Sequence, residues 1–432
     1  MAEMSCHPKA RMSDRFQPLL CRISLLLLLL LCTANSFSYS VLTHEELIDL
    51  AWNGSIRPLL LAKFPGATEA QLHEAHAYAY GGCVIQDMGY YPFGKVFFSN
   101  LTHYARAGDF VVWLLQNART LNEYAFAIGA LSHYLGDSIG HSHAINPATA
   151  VEFPKLERKY GKSVAYDQSP HGHIRTEFAF DVQELRNHEF APPSYLTFIG
   201  FKVPSKFLER GFRSIYGFDV RELLGRSRPA LRSYRTSVRS IIPAFAKAEI
   251  VLHRNQFPPH PDDEAYRIFS TRVARTSYER HWKHKHYGPG VKAHLLAILV
   301  FLVPKIGGAA DLAIKIPTPE TDEWYLQSVN QTVDEFHKML DELASDPDPA
   351  LSLANVDLDT GYSVRRGEYP LTDKTYDQLI ERLTSKPGRP LPEALRKNIL
   401  EFYATSGSLA LEATTVDDKL SALKRMPVAT AK

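Results

Sequence analysis

The stretch Ser132–His143, "SHYLGDSIGHSH", sets His133, Asp137, His141 and His143 within twelve positions of a 432-residue chain. On an α-helix, residues four apart lie on one face, so His133, Asp137 and His141 project the same way. His143 falls two residues further, past the helix end or turned round its side. The segment just before, "AFAIGAL", is uniformly apolar and predicts a buried setting rather than a solvent-exposed polar stripe. A column of imidazole, carboxylate and imidazole is costly to bury unless something pairs with it. A divalent cation is the simplest partner, and histidine with aspartate suits zinc.

Other segments carry ligands of the same type. "HGHIRTEFAFD" holds His173 and Glu177 at helical spacing, with Asp181 one turn on. Asp87 lies in "GGCVIQDMGYYPFG", a Gly- and aromatic-rich loop where a carboxylate has little use as a helix solubiliser. His44 and His103 each follow a threonine near an expected helix start. A lone histidine at a helix start is usually a surface residue. Together these ligands converge only if a helical bundle folds around them.

The rest of the chain fits that frame. Helical periodicity dominates "HEELIDLAW", with Thr43 as its cap, "ATEAQLHEAHAYAYGG", "HYARAGDFVVWLLQNA" and the segment leading into His133. Strand patterns are scarce, Tyr195–Val203 being the one candidate, so the expected fold is all-α. It is read as a multi-helix bundle around a di- or tri-zinc cluster, with a helical C-terminal extension. Arg11, Arg15 and Arg22 precede "ISLLLLLLLCTANSFSYS", the layout of a secretory signal with candidate cuts after Ser36, Ser38 or Ser40. An uncleaved N-terminal anchor is the alternative. Either reading puts the working domain outside the cytoplasm, secreted or periplasmic.

The expected organisation is a signal peptide over 1–38, a catalytic domain over 39–260 and a helical region over 261–432. The last boundary rests on Pro258, Pro259 and Pro261. In the last region, "LLAILVFLV" is too short to span a bilayer; it reads either as a buried helix or as an interfacial element touching lipid. Cys6, Cys21 and Cys32 lie in the leader, which leaves Cys83 alone and rules out a Cys-rich zinc site. The 49 basic and 47 acidic residues nearly cancel, so no broad electrostatic footprint for nucleic acid is present. No protein partner is evident.

The order of these motifs resembles the zinc-dependent phospholipase C superfamily. The stretches "THEELI", "GGCVIQDMGYYP", "LTHYARAGDF", "GALSHYLGDSIGHSH" and "HIRTEFAFD" carry the likeness, over roughly Tyr39 to Leu185. S1/P1-type nucleases share a similar metal motif. The resemblance implies one zinc on Asp87, His103, His133 and Asp137, with Asp137 bridging to a neighbour. It implies a second on His173, Glu177 and one histidine after Asp137, where His141 is favoured over His143. A third zinc would use His44 with the amino group of a chain starting at Tyr39, although many members begin with tryptophan.

The implied chemistry is phosphodiester hydrolysis by a zinc-activated hydroxide, with Asp87 and Asp137 as the central carboxylates. A phospholipid or membrane surface is the expected substrate. The His-Gln-Pro-type turn usual in the nuclease branch is absent, which makes single-stranded nucleic acid the alternative. A secreted helical module with structural zinc is the reading from a different class. Structural sites are closed four-ligand cages, and seven or more ligands around a bridging carboxylate fit a catalytic cluster better.

Overall fold

The structure, a computed structural model, describes residues 41–224, 227–302, 313–345, 351–386, 388–404 and 413–429. The expected signal segment and a terminus at Tyr39 lie outside the described residues. Among those residues there is no strand, only two isolated bridges, Val356 with Ser363 and Leu391 with Val428. The all-α expectation therefore holds.

Seven helices position the site: α1 (Val41–Ala51), α2 (Glu69–Gly82), α3 (Val96–Tyr104), α4 (Leu121–Gly140), α5 (Pro170–Asn187), α6 (Pro319–Ser345) and α7 (Pro370–Thr384). The central helix α4 starts where the Thr120 hydroxyl accepts the Glu123 backbone N–H at 3.2 Å, a side-chain cap for a donor the helix cannot satisfy itself. It packs on α2 at unusually short range. A Cβ at Gly129 would sit 2.2 Å from the Ala79 carbonyl oxygen, and one at Gly82 would sit 2.1 Å from that of Phe126. Only glycine admits backbones this close.

Thr43 lies inside α1 rather than capping it, because the helix begins at Val41. The cap comes from elsewhere in the chain. Asp181 of α5 accepts the backbone N–H groups of Leu42 and Thr43 at 3.1 and 3.2 Å, and the Thr43 hydroxyl at 3.0 Å. A carboxylate at a helix N-terminus satisfies orphan donors and complements the macrodipole. Asp181 thus fixes the entry of the helix that carries His44.

The expected strand at Tyr195–Val203 is not formed; Pro193–Ile199 is a short helix instead. Pro193 presets the first helical turn, and Gly200, at φ 84°, ends it. The proline-rich stretch does separate two helices, Ile242–Leu252 and Glu264–Val273. Nevertheless one buried apolar cluster includes residues from both sides of it. Helix α6 packs on α4 and α1 through a buried face in which Leu326, Val329, Val333, Phe336 and Leu340 are spaced by three or four and Tyr325 lies beside Leu326. Each such side chain contributes about 1.5–3 kcal/mol by leaving water. Tyr325 stacks on Phe180 of α5 at 4.5 Å and meets the Thr43 hydroxyl at 2.9 Å.

Helix Val291–Leu302 carries "LLAILVFL" and leaves most of it uncovered. It buries only Ala293, Ala297 and Val300, while Leu295, Ile298, Phe301 and Leu302 are each more than half exposed. No helix of the described residues is long and apolar enough to cross a membrane.

Candidate metal centre

Helix α4 delivers His133 and Asp137 in its last two turns, and a π-helical turn, His141–Ile145, follows without a break. Such turns recur at functional sites. Helical periodicity brings His141 onto the face of Asp137, while His143 turns away. His141 is buried; His143 is exposed, its Nδ1 2.9 Å from Gln331 Oε1. His143 thus stands apart from the group that holds His141, because two residues along a helix turn a side chain by roughly 200°.

Asp137 is the hub. Its Oδ2 lies 3.1 Å from His133 Nε2 and 3.2 Å from His103 Nε2, while its Oδ1 lies 3.1 Å from His44 Nε2 and 3.8 Å from His141 Nε2. Asp87, from a short 3-10 turn over Gln86–Tyr90, brings Oδ1 within 3.3 Å of His103 Nε2 and 4.0 Å of His133 Nε2. On α5, His173 Nδ1 meets Glu177 Oε1 at 2.8 Å, and the same oxygen lies 3.5 Å from His141 Nε2. Three compact groups result: Asp87 with His103 and His133, His141 with His173 and Glu177, and His44 with His133 and Asp137. Every member is buried. His44 stacks on the His133 ring at 4.3 Å, and Gly136 leaves the room for it, since a Cβ there would lie 3.2 Å from the His44 ring.

Hydrogen bonds at the far side of each ring set which nitrogen faces inward. His133 Nδ1 donates to the Cys83 carbonyl at 2.9 Å and His103 Nδ1 to that of Ser99 at 2.8 Å. Their Nε2 lone pairs then face each other at 3.3 Å. His173 donates from Nε2 to Asn146 Oδ1 at 2.8 Å, which turns the Nδ1 lone pair toward Glu177. This is the outer-shell pattern that orients imidazoles on metals. Two further observations test the fit. Both carboxylate oxygens of Asp87 and both of Glu177 are buried and accept no hydrogen bond. Facing lone pairs and unbonded buried carboxylates are unfavourable together without a cation between them. The donor set fits zinc.

Charge effects follow this arrangement. Burial alone would push the Asp137 carboxyl up, but His133, His141 and His103 around it hold it well below the usual range. Burial pushes Glu177 well up, and Asp137 and Asp87 add to the effect. Burial, followed by His141, drops His173 to about 3, leaving it a neutral ligand.

One residue of the site is not visible in the ligand motifs. Asp359, in the loop between α6 and α7, places Oδ1 3.3 Å from His141 Nδ1. Its Oδ2 accepts the hydroxyls of Tyr104 at 2.9 Å and of Tyr369, and its backbone carbonyl accepts Asn146 Nδ2 at 2.7 Å. Nearby, the Leu358 N–H donates to the His103 carbonyl at 3.2 Å. The only sequence signal is "DLDTG", two aspartates at a glycine turn some 180 residues from Glu177.

A helical frame gathers imidazoles and carboxylates from α1, α3, α4, α5 and the Asp87 turn into three buried groups that could each hold a metal ion. Residues 43–217 match the family model described as zinc dependent phospholipase C. The matched stretch is similar to that family, and it contains every candidate ligand from His44 to Glu177 but neither Asp359 nor α6. No curated protein and no solved structure matches the chain.

Proposed function

We propose that the chain is a secreted phospholipase C, a hydrolase that cleaves the phosphodiester linking a lipid to its head group. The observation that carries this reading is Asp137, whose two oxygens face two separate ligand groups. A carboxylate between two cation sites belongs to paired-metal hydrolytic centres rather than to a closed structural cage. Asp87, His103 and His133 would hold one ion, His141, His173 and Glu177 another, and Asp137 would stand between them. His44 offers a ligand toward a third. When bound, zinc would supply positive charge for the phosphoryl oxygens and make water a competent nucleophile near neutral pH.

The reaction adds a water oxygen to phosphorus, breaks the bond to the glycerol oxygen and returns a proton to that alcohol. Its products are diacylglycerol and a phosphorylated head group. The chain's own residues fix the geometry: Ser99, Cys83, Asn146 and Asp359 set the ring orientations, and Asp181 anchors the helix of His44. With every ligand buried, a phosphodiester reaches them only if a neighbouring element moves. Asp359, on the loop that also carries Tyr369, lies against His141.

The exposed apolar face of helix Val291–Leu302 supports a lipid surface as substrate. The alternative, a single-stranded nucleic acid, draws on Arg228, Arg232, Arg235 and Arg239, which line a groove of about 370 Å³. The test offers phosphatidylcholine vesicles and single-stranded DNA side by side to protein recovered from the medium. Metal-dependent release of phosphocholine, abolished by EDTA and restored by zinc, supports the proposal. Cleavage of DNA alone would move the chain to the nuclease reading.

A further inference from the structure

Helix α5 carries acidic side chains beyond the metal centre. Glu184, two turns past Glu177, meets a group that the phospholipase-like centre does not use. His260, from the proline-rich stretch, inserts between α5 and α6, its side chain only 3% exposed. Its Nδ1 lies 2.7 Å from Asp322 Oδ2 on α6. Its Nε2 lies 2.8 Å from Glu189 Oε2 and 3.4 Å from Glu184 Oε1. Asn187 Nδ2 is 2.7 Å from the same Nε2, and Gln183 Nε2 donates to Asp322 Oδ1 at 2.7 Å. One ligand atom each from Glu184, His260 and Asp322 falls within 4.8 Å of the others.

An imidazolium could answer two of these carboxylates, Asp322 and Glu189, through its two N–H groups. It does not answer Glu184. That side chain is fully buried, and neither carboxylate oxygen has a hydrogen-bond partner. Ionised, it has only a 3.4 Å share in an imidazolium whose two N–H groups point at Asp322 and Glu189; protonated, it has a hydroxyl with no acceptor. Either state is unfavourable. A divalent cation removes the difficulty, because it neutralises the surplus charge and fills the coordination that Glu184 lacks.

We propose that Glu184, Glu189 and His260 bind a further, structural divalent cation outside that centre, with Asp322 orienting the ring. The Nδ1–H donates to Asp322, which leaves the Nε2 lone pair facing both glutamates, the carboxylate–histidine–metal arrangement. The Asn187 amide oxygen supplies a fourth ligand if the amide is turned over, since oxygen and nitrogen exchange places in that rotation. One imidazole among oxygen ligands suits zinc or manganese better than calcium or magnesium. The ligands come from α5, the turn just after it and the proline-rich stretch, with α6 beside them. The ion would therefore fasten the region matched to the family onto the region after it.

The test uses the full chain with the phospholipase-like centre disabled by His133→Ala, Asp137→Asn and Glu177→Gln, so that each of its ligand groups loses a member and its ions do not obscure the count. After dialysis into metal-free buffer and addition of zinc, this protein is expected to hold an ion that a further Glu184→Gln or His260→Gln substitution removes. Zinc should also raise its melting temperature by a few degrees, and the added substitution should abolish that rise. Manganese is run in parallel, and calcium serves as the poor-ligand control. The same zinc content and the same rise with and without Glu184→Gln would overturn the proposal. No bound zinc or manganese in the disabled protein with Glu184 and His260 intact would overturn it too, and this arm does not depend on how the added variants fold. A response to calcium alone would equally reject it. Failure of phosphodiester hydrolysis leaves these readouts unaffected, so the two readings stand or fall separately.

Discussion

The region over residues 43–217 and the region after it treat polar residues in different ways. The first gathers its histidines and carboxylates into groups where each ligand answers several others, with Asp137 at the centre. The second sends polar side chains inward from scattered positions, among them Asp359 to His141, Tyr325 to Thr43, and Thr321 to Glu152. A ligand cluster is redundant in contacts and intolerant in charge, whereas a lone inward residue acts through what it positions. Loss of a member should therefore have unequal consequences in the two regions.

The largest effect is expected at the hub. Asp137→Asn removes the one carboxylate shared by the ligand groups, so phosphodiester hydrolysis should fall at least about 10³-fold, or 4 kcal/mol or more. Metal content should drop with it. Zinc retained in full with activity within tenfold would remove Asp137 from the centre of the comparison.

Glu152, near the end of the helix Asn146–Glu152, joins the regions by accepting the Thr321 hydroxyl at 3.2 Å. Burial raises its carboxyl to about 8. The folded chain therefore keeps a proton that the unfolded chain releases above about 4.5. The stability this gives is complete below about pH 4.5 and is lost as pH rises to about 8, amounting to about 5 kcal/mol. Denaturant midpoints of wild type and Glu152→Gln across that window should diverge, with the variant lacking this part of the slope. Parallel curves would show that Glu152 is ionised in the fold.

The ligands were legible because a helix makes four-residue spacing meaningful: His133, Asp137 and His141, or His173 and Glu177, announce a shared face before any fold is known. Asp359 was not legible in this way. It sits on a loop, its partner is more than two hundred residues earlier, and nothing periodic ties the two. Asp181 shows a second limit, since its helical spacing from Glu177 matches a ligand, yet its oxygens cap α1. The apolar segment Leu295–Val303 was ambiguous for a related reason: composition gives the amount of apolar surface and says nothing about which neighbours cover it.

Asp359→Asn sharpens the comparison next. If the carboxylate positions His141, its loss should lower activity about 10–100-fold, with kcat falling more than KM changes and metal affinity weakened. If the loop chiefly covers the site, the same substitution should raise activity instead. A rise would recast the second region as a cover over the first.

The smallest expected effect separates two histidines one residue apart in function and two apart in sequence. His143→Ala removes an exposed side chain whose recorded partner is Gln331, so stability should stay within about 0.5 kcal/mol and activity should not change measurably. His141→Ala removes a buried ring between Asp137, Glu177 and Asp359 and should cost a metal ion and most of the activity. Should the two variants lose zinc and activity alike, the π-helical turn at His141–Ile145 would have to rearrange to bring His143 inward when metal binds. The ligand set would then depend on a movement of that turn rather than on the register of α4 alone.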